Sequence, residues 1–556
     1  MPSFEVVGNI VDIAAQRIVP AKVKVAKGCI QEIVPINEEP ATFLLPGFID
    51  SHIHIESSML LPPEFARAAV VHGTVATVSD PHEIANVLGT DGVRYMLKSA
   101  ADVPFKFCFG ASSCVPSTPF ETSGALIDAG QVAALLDDPQ IGYLSEVMNF
   151  RGVLSGEQEL LAKIEAARSR GKVVDGHAPG LRGDQARRYI EAGISTDHEC
   201  STREEALDKL AAGAKILIRE GSAARNFDAL FSLIQDYPDC CMLCSDDKHP
   251  DELLHGHINL LVQRALDAGV DRMKVLQAAC INPVEHYGLD VGMLRIGDPA
   301  DFIEVENLSN WKVLRTFIHG QLVADRGKAL FAAKPSPTVN QFLTRKLSPD
   351  MFRVPVPAGA KTLNVIEAID GELVTSKTTA AVKNIGGYAV SDPEKDILKI
   401  AVVNRYQKAN PAVAFVKNFG LSRGAFASSV AHDSHNVIAV GIRDEEICEA
   451  VNLISECGGG LSLVVDNECH LLPLPIAGLM SPESCEQVGG KYAKLDKGVK
   501  ALGCPLRAPY MTLAFMALLV IPEIKLSDLG LFDVTRFEFM PLFRENRDGN
   551  ACSRDA

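Results

Sequence analysis

The chain has 556 residues, with 54 Lys+Arg against 70 Asp+Glu and a net charge of −16. Hydrophobic residues make up 47% and charged residues 22%, which excludes a disordered chain. The acidic balance argues against a nucleic-acid binder, and no run of about 18 apolar residues marks a membrane span. At roughly 150 residues per domain, three or four domains, or one large barrel with additions, are expected. The opening MPSFEVVGNIVDIAAQ has neither a basic start nor a long apolar run, so no secretory leader is expected. The 14 cysteines are scattered, which predicts reduced thiols in a cytoplasm rather than a disulfide framework.

Residues 4–35 predict short strands. FEVVGNIVD, KVKVAKGCI and QEIVPI alternate apolar with polar or small residues, and Gly28 suits a turn. From Leu44 the texture changes to eight apolar runs: LPGFIDSHIH, TVATVSDP, FKFCFGASS, IGYLSEVMN, VVDGHAP, ISTDHEC, KILIREGSA and CMLCSDD. Between most of them lie helical patterns at Glu64–His72, Gln131–Leu136, Glu157–Arg170, Asp184–Ala192, Arg203–Ala212 and Asn226–Asp236. Asp251–Ala268 and Asp271–Cys280 are the helices expected after the eighth run. Continuous apolar strands alternating with amphipathic helices predict a parallel sheet covered by helices, here a (β/α)8 barrel over 44–288.

GMLRIGDPADFIEVE and WKVLRTFIHGQLV return to β character. They are expected to join the N-terminal strands in a small β-domain split by the barrel, 1–43 plus 289–335. AKPSPT and VPVPAGAK mark a Pro-rich boundary, after which 360–556 predict a C-terminal α/β domain.

Polar residues gather at the strand ends, where a (β/α)8 barrel builds its active site. His52 and His54 end the first strand; Asp80, His82 and Glu83 end the second. Glu146 lies in the fourth, His177 in the fifth, His198 in the sixth, and Asp246 with Asp247 at the eighth. His52 and His54 are two apart, so on a strand both imidazoles point to one side and can reach one metal ion. Four histidines, a glutamate and an aspartate supply ligands for one or two divalent metals.

LPGFIDSHIH resembles the opening motif of the amidohydrolase superfamily. HIHIESSM, SDPHEIANVLG, DGHAPGL, IREGSAARN and CSDDKHPDEL together resemble bacterial adenine deaminases, and VAHDSHNVIAVG and LPLPIAGLMS extend the resemblance beyond the barrel. The resemblance implies a binuclear centre of two divalent metal ions, manganese or iron, with zinc as the alternative. His52, His54, Glu146, His177, His198 and Asp246 match the ligand positions. Glu146 stands where many amidohydrolases carry a carboxylated lysine, so here the glutamate itself is expected to bridge. In the implied reaction, water made acidic by the metals attacks carbon 6 of adenine and gives hypoxanthine and ammonia. Asp246 is expected to handle the proton, and Glu56, two residues past His54, to serve as the ring-facing acid.

Glu56, His82, Arg219 and Ser222 are the expected substrate contacts. For each a plainer role stands beside it: Glu56 as a solvated or capping carboxylate, Ser222 as a helix cap, Arg219 as partner of an acid, and for His82 a stretch in which Asp80-Pro81 simply shapes the turn. Asp247 either orients Asp246 or pairs with Lys248. His432 and His435, in AHDSHN, form either a lid or an ordinary loop. Adenine is the expected partner, with no nucleic acid, no membrane, and a homo-oligomer, the dimer first among the options.

Cys241 to Cys244 is a C-x-x-C and His54-Ile55-Glu56 an H-x-E, imitating the small zinc nucleobase deaminases. On a strand, residues three apart point to opposite faces, so the two cysteines cannot share one ion. Gly458, Gly459 and Gly460 lack a P-loop lysine and predict a turn before LSLVVD. A cyclic amide hydrolase, an amino-sugar deacetylase and a non-catalytic metal scaffold remain as rivals. Glu146 in place of lysine opposes the first, the deaminase-like motifs the first two, and the complete ligand set the last.

Overall fold

The computed structural model describes residues 3–544. The chain forms two compact units. One takes the chain up to Ser117 with Gly124–Val339 and Leu479–Tyr492, and the other takes Thr118–Ser123, Asn340–Gly478 and the chain from Ala493 onward.

The first unit opens with β1 (Phe4–Asp12), β2 (Arg17–Ala26), β3 (Cys29–Pro35) and β4 (Phe43–Pro46). Eight parallel strands follow: β5 (Phe48–Ile53), β6 (Thr74–Ser79), β7 (Lys106–Ala111), β8 (Ile141–Val147), β9 (Val174–Gly176), β10 (Thr196–Asp197), β11 (Lys215–Arg219) and β12 (Cys241–Cys244). The last four are β13 (Phe302–Val305), β14 (Val313–Ile318), β15 (Gln321–Asp325) and β16 (Lys328–Ala329).

The early and late strands share one sheet in the order β16-β15-β14-β13-β4-β1-β2-β3. Alternate residues of β1 and β2, among them Val6, Ile10, Val23 and Val25, pack on Leu44, Phe302 and Phe317. That is the period-two burial of a sheet with one covered face.

The parallel strands form a curled sheet in two runs, β5-β6-β7-β8-β9 and β10-β11-β12. β5 and β6 are buried at every position, as expected of strands covered on both faces. Ser195 N–H donates to the Val174 carbonyl at 2.8 Å, beside the ends of β9 and β10. A parallel bridge between Ile53 and Asp246 links the end of β5 to the residue after β12. β9 ends on Gly176, where a Cβ would lie 2.4 Å from the Thr196 carbonyl oxygen, so only glycine fits.

The helices differ from expectation in places. Asp251–Ala268 is not one helix but two, Pro250–Leu253 and Ile258–Asp267. The break falls where His257 takes a non-helical backbone and its ring is held by Asp50 and Thr74. Asn226–Asp236 likewise splits into Phe227–Leu230 and Leu233–Asp236. Helices His82–Leu88, Thr90–Ala100 and Phe150–Ser155 were not expected; the first two start from the polar stretch after Pro81 and from Gly89.

Residues 479–492 fold with the first unit, since Ser481 N–H donates to the Met59 carbonyl at 2.9 Å and Tyr492 packs on His249. Residues 118–123 fold with the second, where Phe120 packs on Phe532 and Thr122 N–H donates to Asp528 at 2.9 Å. Neither exchange follows from the expected boundaries at 44–288 and 360–556, because short segments carry no compositional mark of the unit they join.

The second unit holds an eight-stranded sheet in the order Thr375–Ala381, Thr362–Ala368, Ala412–Lys417, Ile397–Val403, Val437–Gly441, Ala425–Ser428, Gly460–Val465, Glu468–Pro473. Its pairings are antiparallel except Thr362–Ala368 with Ala412–Lys417. The expected α/β domain holds a largely antiparallel sheet: hairpins join most neighbouring strands, and helix Asp444–Cys457 crosses from Val437–Gly441 to Gly460–Val465. Helix Asp444–Cys457 packs Ile447, Val451 and Ile454 against Ala401, Ala427 and Ala439. Gly458, at φ +74°, ends that helix, and a Cβ on Gly460 would meet the Leu472 carbonyl at 2.4 Å. The glycine cluster is thus a turn.

Among the described residues thirteen cysteines are free thiols, and no helix is long and apolar enough to cross a membrane.

Candidate active site

The six residues expected to ligate metal meet at one cluster in the first unit, and all six are buried. His52 ends the regular part of β5 and His54 follows it, while Glu146 stands near the end of β8. His177 follows β9, His198 follows β10, and Asp246 lies just beyond β12. Parallel strands bring their C-terminal ends to one rim, so residues almost 200 positions apart converge.

Glu146 is the hub. Its Oε1 faces His54 Nε2 at 3.3 Å and His52 Nε2 at 3.9 Å. Its Oε2 faces His177 Nδ1 at 2.7 Å and His198 Nε2 at 3.2 Å. Asp246 Oδ1 lies 3.1 Å from His54 Nε2 and 3.5 Å from His52 Nε2. The His52 and His198 rings stack at 4.1 Å. Burial opposes the Glu146 charge, but His177 and His198 outweigh it and hold the carboxyl well below its usual range. Burial also opposes the Asp246 charge, and Arg219, His52 and His54 outweigh it in the same sense.

This donor set fits divalent cations. His54 Nδ1 lies 3.1 Å from the Asp80 carbonyl oxygen, an acceptor, so that nitrogen carries the proton. Nε2 faces two carboxylates, and a cation between them in place of a proton would take its lone pair. Neither ring nitrogen of His52 nor His177 Nε2 makes a hydrogen bond, although all three atoms are buried. Buried nitrogens of that kind are costly unless something else satisfies them.

The expected substrate contacts are distributed differently. Glu56 Oε1 accepts the Ile84 N–H at 3.2 Å, and its buried Oε2 makes no hydrogen bond. Burial, reinforced by nearby Glu83, pushes the Glu56 carboxyl up to about 7. His82 stands beside the hub, with Nδ1 at 3.1 Å from Asp80 Oδ2 and 3.4 Å from Glu146 Oε1. Arg219 is committed to acids: it bonds Asp246 Oδ2 at 2.5 Å and both oxygens of Glu199. Ser222 is a loop clasp, accepting the His249 N–H at 2.9 Å and donating to Glu252 at 2.9 Å. The plainer role weighed for Arg219 describes its contacts; Ser222 does not cap the next helix, Phe227–Leu230, whose N-cap position is Asn226. Asp247 accepts the Ser57 hydroxyl.

Glu199 was not anticipated. Its Oε1 lies 3.4 Å from His198 Nε2 and 3.6 Å from His177 Nδ1. It directly follows His198, and β10 ends at Asp197, so strand alternation does not separate the two side chains. Asp197 accepts the N–H groups of Ala178 at 3.0 Å and Glu199 at 2.9 Å, and pairs with fully buried Lys209 at 3.0 Å. This network steadies the turns that carry His177 and His198.

Cys241 packs in one core cluster, and Cys244 in another with Met242, as residues on opposite strand faces must. In the second unit the His432 ring packs on Phe515 at 4.9 Å, and His435 Nδ1 accepts the Ala431 N–H at 3.2 Å.

The amidohydrolase family model matches residues 43–323, and the adenine deaminase C-terminal domain model matches residues 372–538. An adenine deaminase of Salinibacter ruber is 55% identical over 543 residues, covering 97% of this chain and 99% of that protein. An adenine deaminase of Methanosarcina acetivorans is 51% identical over 547 residues, covering 97% and 99%. One of Borreliella burgdorferi is 46% identical over 548 residues, covering 97% and 100%. Matches of this depth, over both units and nearly the full length of each relative, mean that the chain belongs to the adenine deaminases of the amidohydrolase family.

Proposed function

We propose that the chain hydrolyses adenine to hypoxanthine and ammonia, at two divalent metal ions held by His52, His54, Glu146, His177, His198 and Asp246. The observation that carries this reading is Glu146, whose two oxygens face two separate pairs of imidazoles. When bound, the metals would supply a water of lowered pKa and a positive field for developing negative charge. The expected ions are manganese or iron. The eight strands are taken to close as a (β/α)8 barrel, the Ile53–Asp246 bridge being the seam that supports closure.

The chain's own residues move the protons. Asp246 accepts one from the attacking water as the oxygen–carbon 6 bond forms. Glu56 delivers one to the ring nitrogen beside carbon 6, through the oxygen that makes no hydrogen bond. The exocyclic nitrogen then takes the proton from Asp246, the carbon–nitrogen bond breaks, and ammonia leaves. The remaining hydroxyl proton passes to the Glu56 carboxylate, which restores the acid and leaves the carbonyl of hypoxanthine. His82 is retained as a pocket residue. Arg219 is reassigned to holding Asp246 and Glu199, and Ser222 to holding its loop.

The test is adenine turnover, read as ammonia and hypoxanthine, on protein reloaded with manganese or iron under reducing, anaerobic conditions. Turnover is expected, and Asp246→Asn is expected to lower it about 10²- to 10⁴-fold. Full metal occupancy without adenine turnover would overturn the substrate assignment.

A further inference from the structure

His52, His54 and Asp246 converge only while the end of β5 stays in register with the end of β12. The seam is thin: Asp246 N–H donates to the His52 carbonyl at 2.9 Å, and His54 N–H to the Asp246 carbonyl at 3.2 Å. Asp246 also sits at φ +56°, a left-handed backbone that a non-glycine residue keeps only when its surroundings over-determine it.

Asp50 supplies much of that determination. Its carboxylate is fully buried and accepts the Ser245 N–H at 3.0 Å, the Ser245 hydroxyl, and the His52 N–H at 3.4 Å. Ser245 directly precedes Asp246, so one carboxylate spans both sides of the seam. Its Oδ2 is in turn held by His257 Nε2 at 2.7 Å. A carboxylate only accepts, so Nε2 carries the proton, and Nδ1 meets the Thr74 hydroxyl at 2.8 Å. The edge-on Phe65 ring, 5.7 Å from the imidazole, closes the site with apolar surface. His257 is fully buried and touches none of the six proposed ligands through these contacts.

We propose that His257 is a positioning residue: by holding the Asp50 carboxylate it keeps Asp246 in its left-handed, metal-facing conformation. This rests on the reading of Asp246 as ligand and proton carrier given above. Without His257, Asp50 Oδ2 keeps only the Ser245 hydroxyl, and its carboxylate is no longer anchored from the His257 side.

The test compares wild type, His257→Phe and His257→Gln. Phenylalanine fills the ring's space without a donor, while the glutamine amide reaches toward Asp50 in place of Nε2. Manganese affinity is measured by equilibrium dialysis and adenine kinetics in parallel. His257→Phe is expected to weaken manganese binding about 10- to 100-fold, and to lower kcat with KM for adenine little changed. His257→Gln is expected to recover both to within about threefold of wild type. A general loss of folded protein would lower the number of ions bound but not their affinity. Wild-type affinity in His257→Phe, or no recovery in His257→Gln, overturns the proposal. If His257→Phe does not fold, Thr74→Val removes the hydroxyl that orients the ring, and unchanged manganese affinity there overturns it equally. If wild type itself leaves adenine unchanged, the substrate assignment fails while the manganese comparison still decides the role of His257.

Discussion

Replacing Glu56 by glutamine isolates the proton that adenine needs at its ring. The two side chains have nearly the same shape. The amide oxygen can still accept the Ile84 N–H that Glu56 Oε1 accepts at 3.2 Å. The amide nitrogen would take the position of Oε2, the atom without a hydrogen bond, and it has no acidic proton to give. Removing a general acid costs about 10²- to 10⁴-fold in rate, which is roughly 2.7 to 5.4 kcal/mol of barrier. The loss should fall on kcat. Metal content should stay at the wild-type value, because the hydrogen bond that Glu56 makes is to backbone. Thermal stability should hold or rise, since a buried carboxyl becomes a neutral amide. Steady-state turnover of adenine by ammonia release, alongside metal analysis of the same sample, checks all three. A kcat within about threefold of wild type with full metal would refute the role, because a general acid typically contributes about 10²- to 10⁴-fold.

Two further predictions concern stability. Lys209→Met leaves the fully buried Asp197 without the cation at 3.0 Å, and also removes the cation paired with Glu205. Breaking a buried pair on one side costs about 3 to 5 kcal/mol, so the melting temperature should fall by several degrees in calorimetry; an unchanged melting curve would contradict the network. His286 is half-buried, and burial pushes its imidazole down to about 4. The unfolded chain therefore binds a proton below about pH 6.5 that the folded chain refuses, so stability is full above that pH and falls toward pH 4, by at most about 3 kcal/mol. His286→Gln should flatten that part of the stability–pH profile, and an unaltered slope between pH 6.5 and 4 would count against it.

The gathering of the cluster was legible for a simple reason. A parallel strand buried on both faces must be apolar throughout, so a polar residue at its end stands out, and His52, Glu146, His177, His198 and Asp246 all stand at such ends. Glu199 was hidden because it lies past the end of β10, where its partner Arg219 is set by the fold and not by strand alternation. Arg219 and Ser222 were visible as rim residues, but their partners, Glu199 and Glu252, lie 20 and 30 positions away and are set by how the loops close. The helices His82–Leu88 and Thr90–Ala100 were missed where a polar motif masks the start of a helix.

By itself the sequence determined what short-range physics controls: which runs are buried strands, where helices alternate with them, and which ionisable side chains sit at strand ends. The spacing of His52 and His54 and the loss of shared facing between Cys241 and Cys244 follow from backbone geometry alone. Tertiary structure decided what depends on contacts across long separations. It gave segment 479–492 to the first unit and 118–123 to the second. It joined Asp50 to His257, 207 residues apart, and committed Arg219 to two acids. Such pairings carry no local signature, because a buried charge takes whichever partner the folded chain brings within reach.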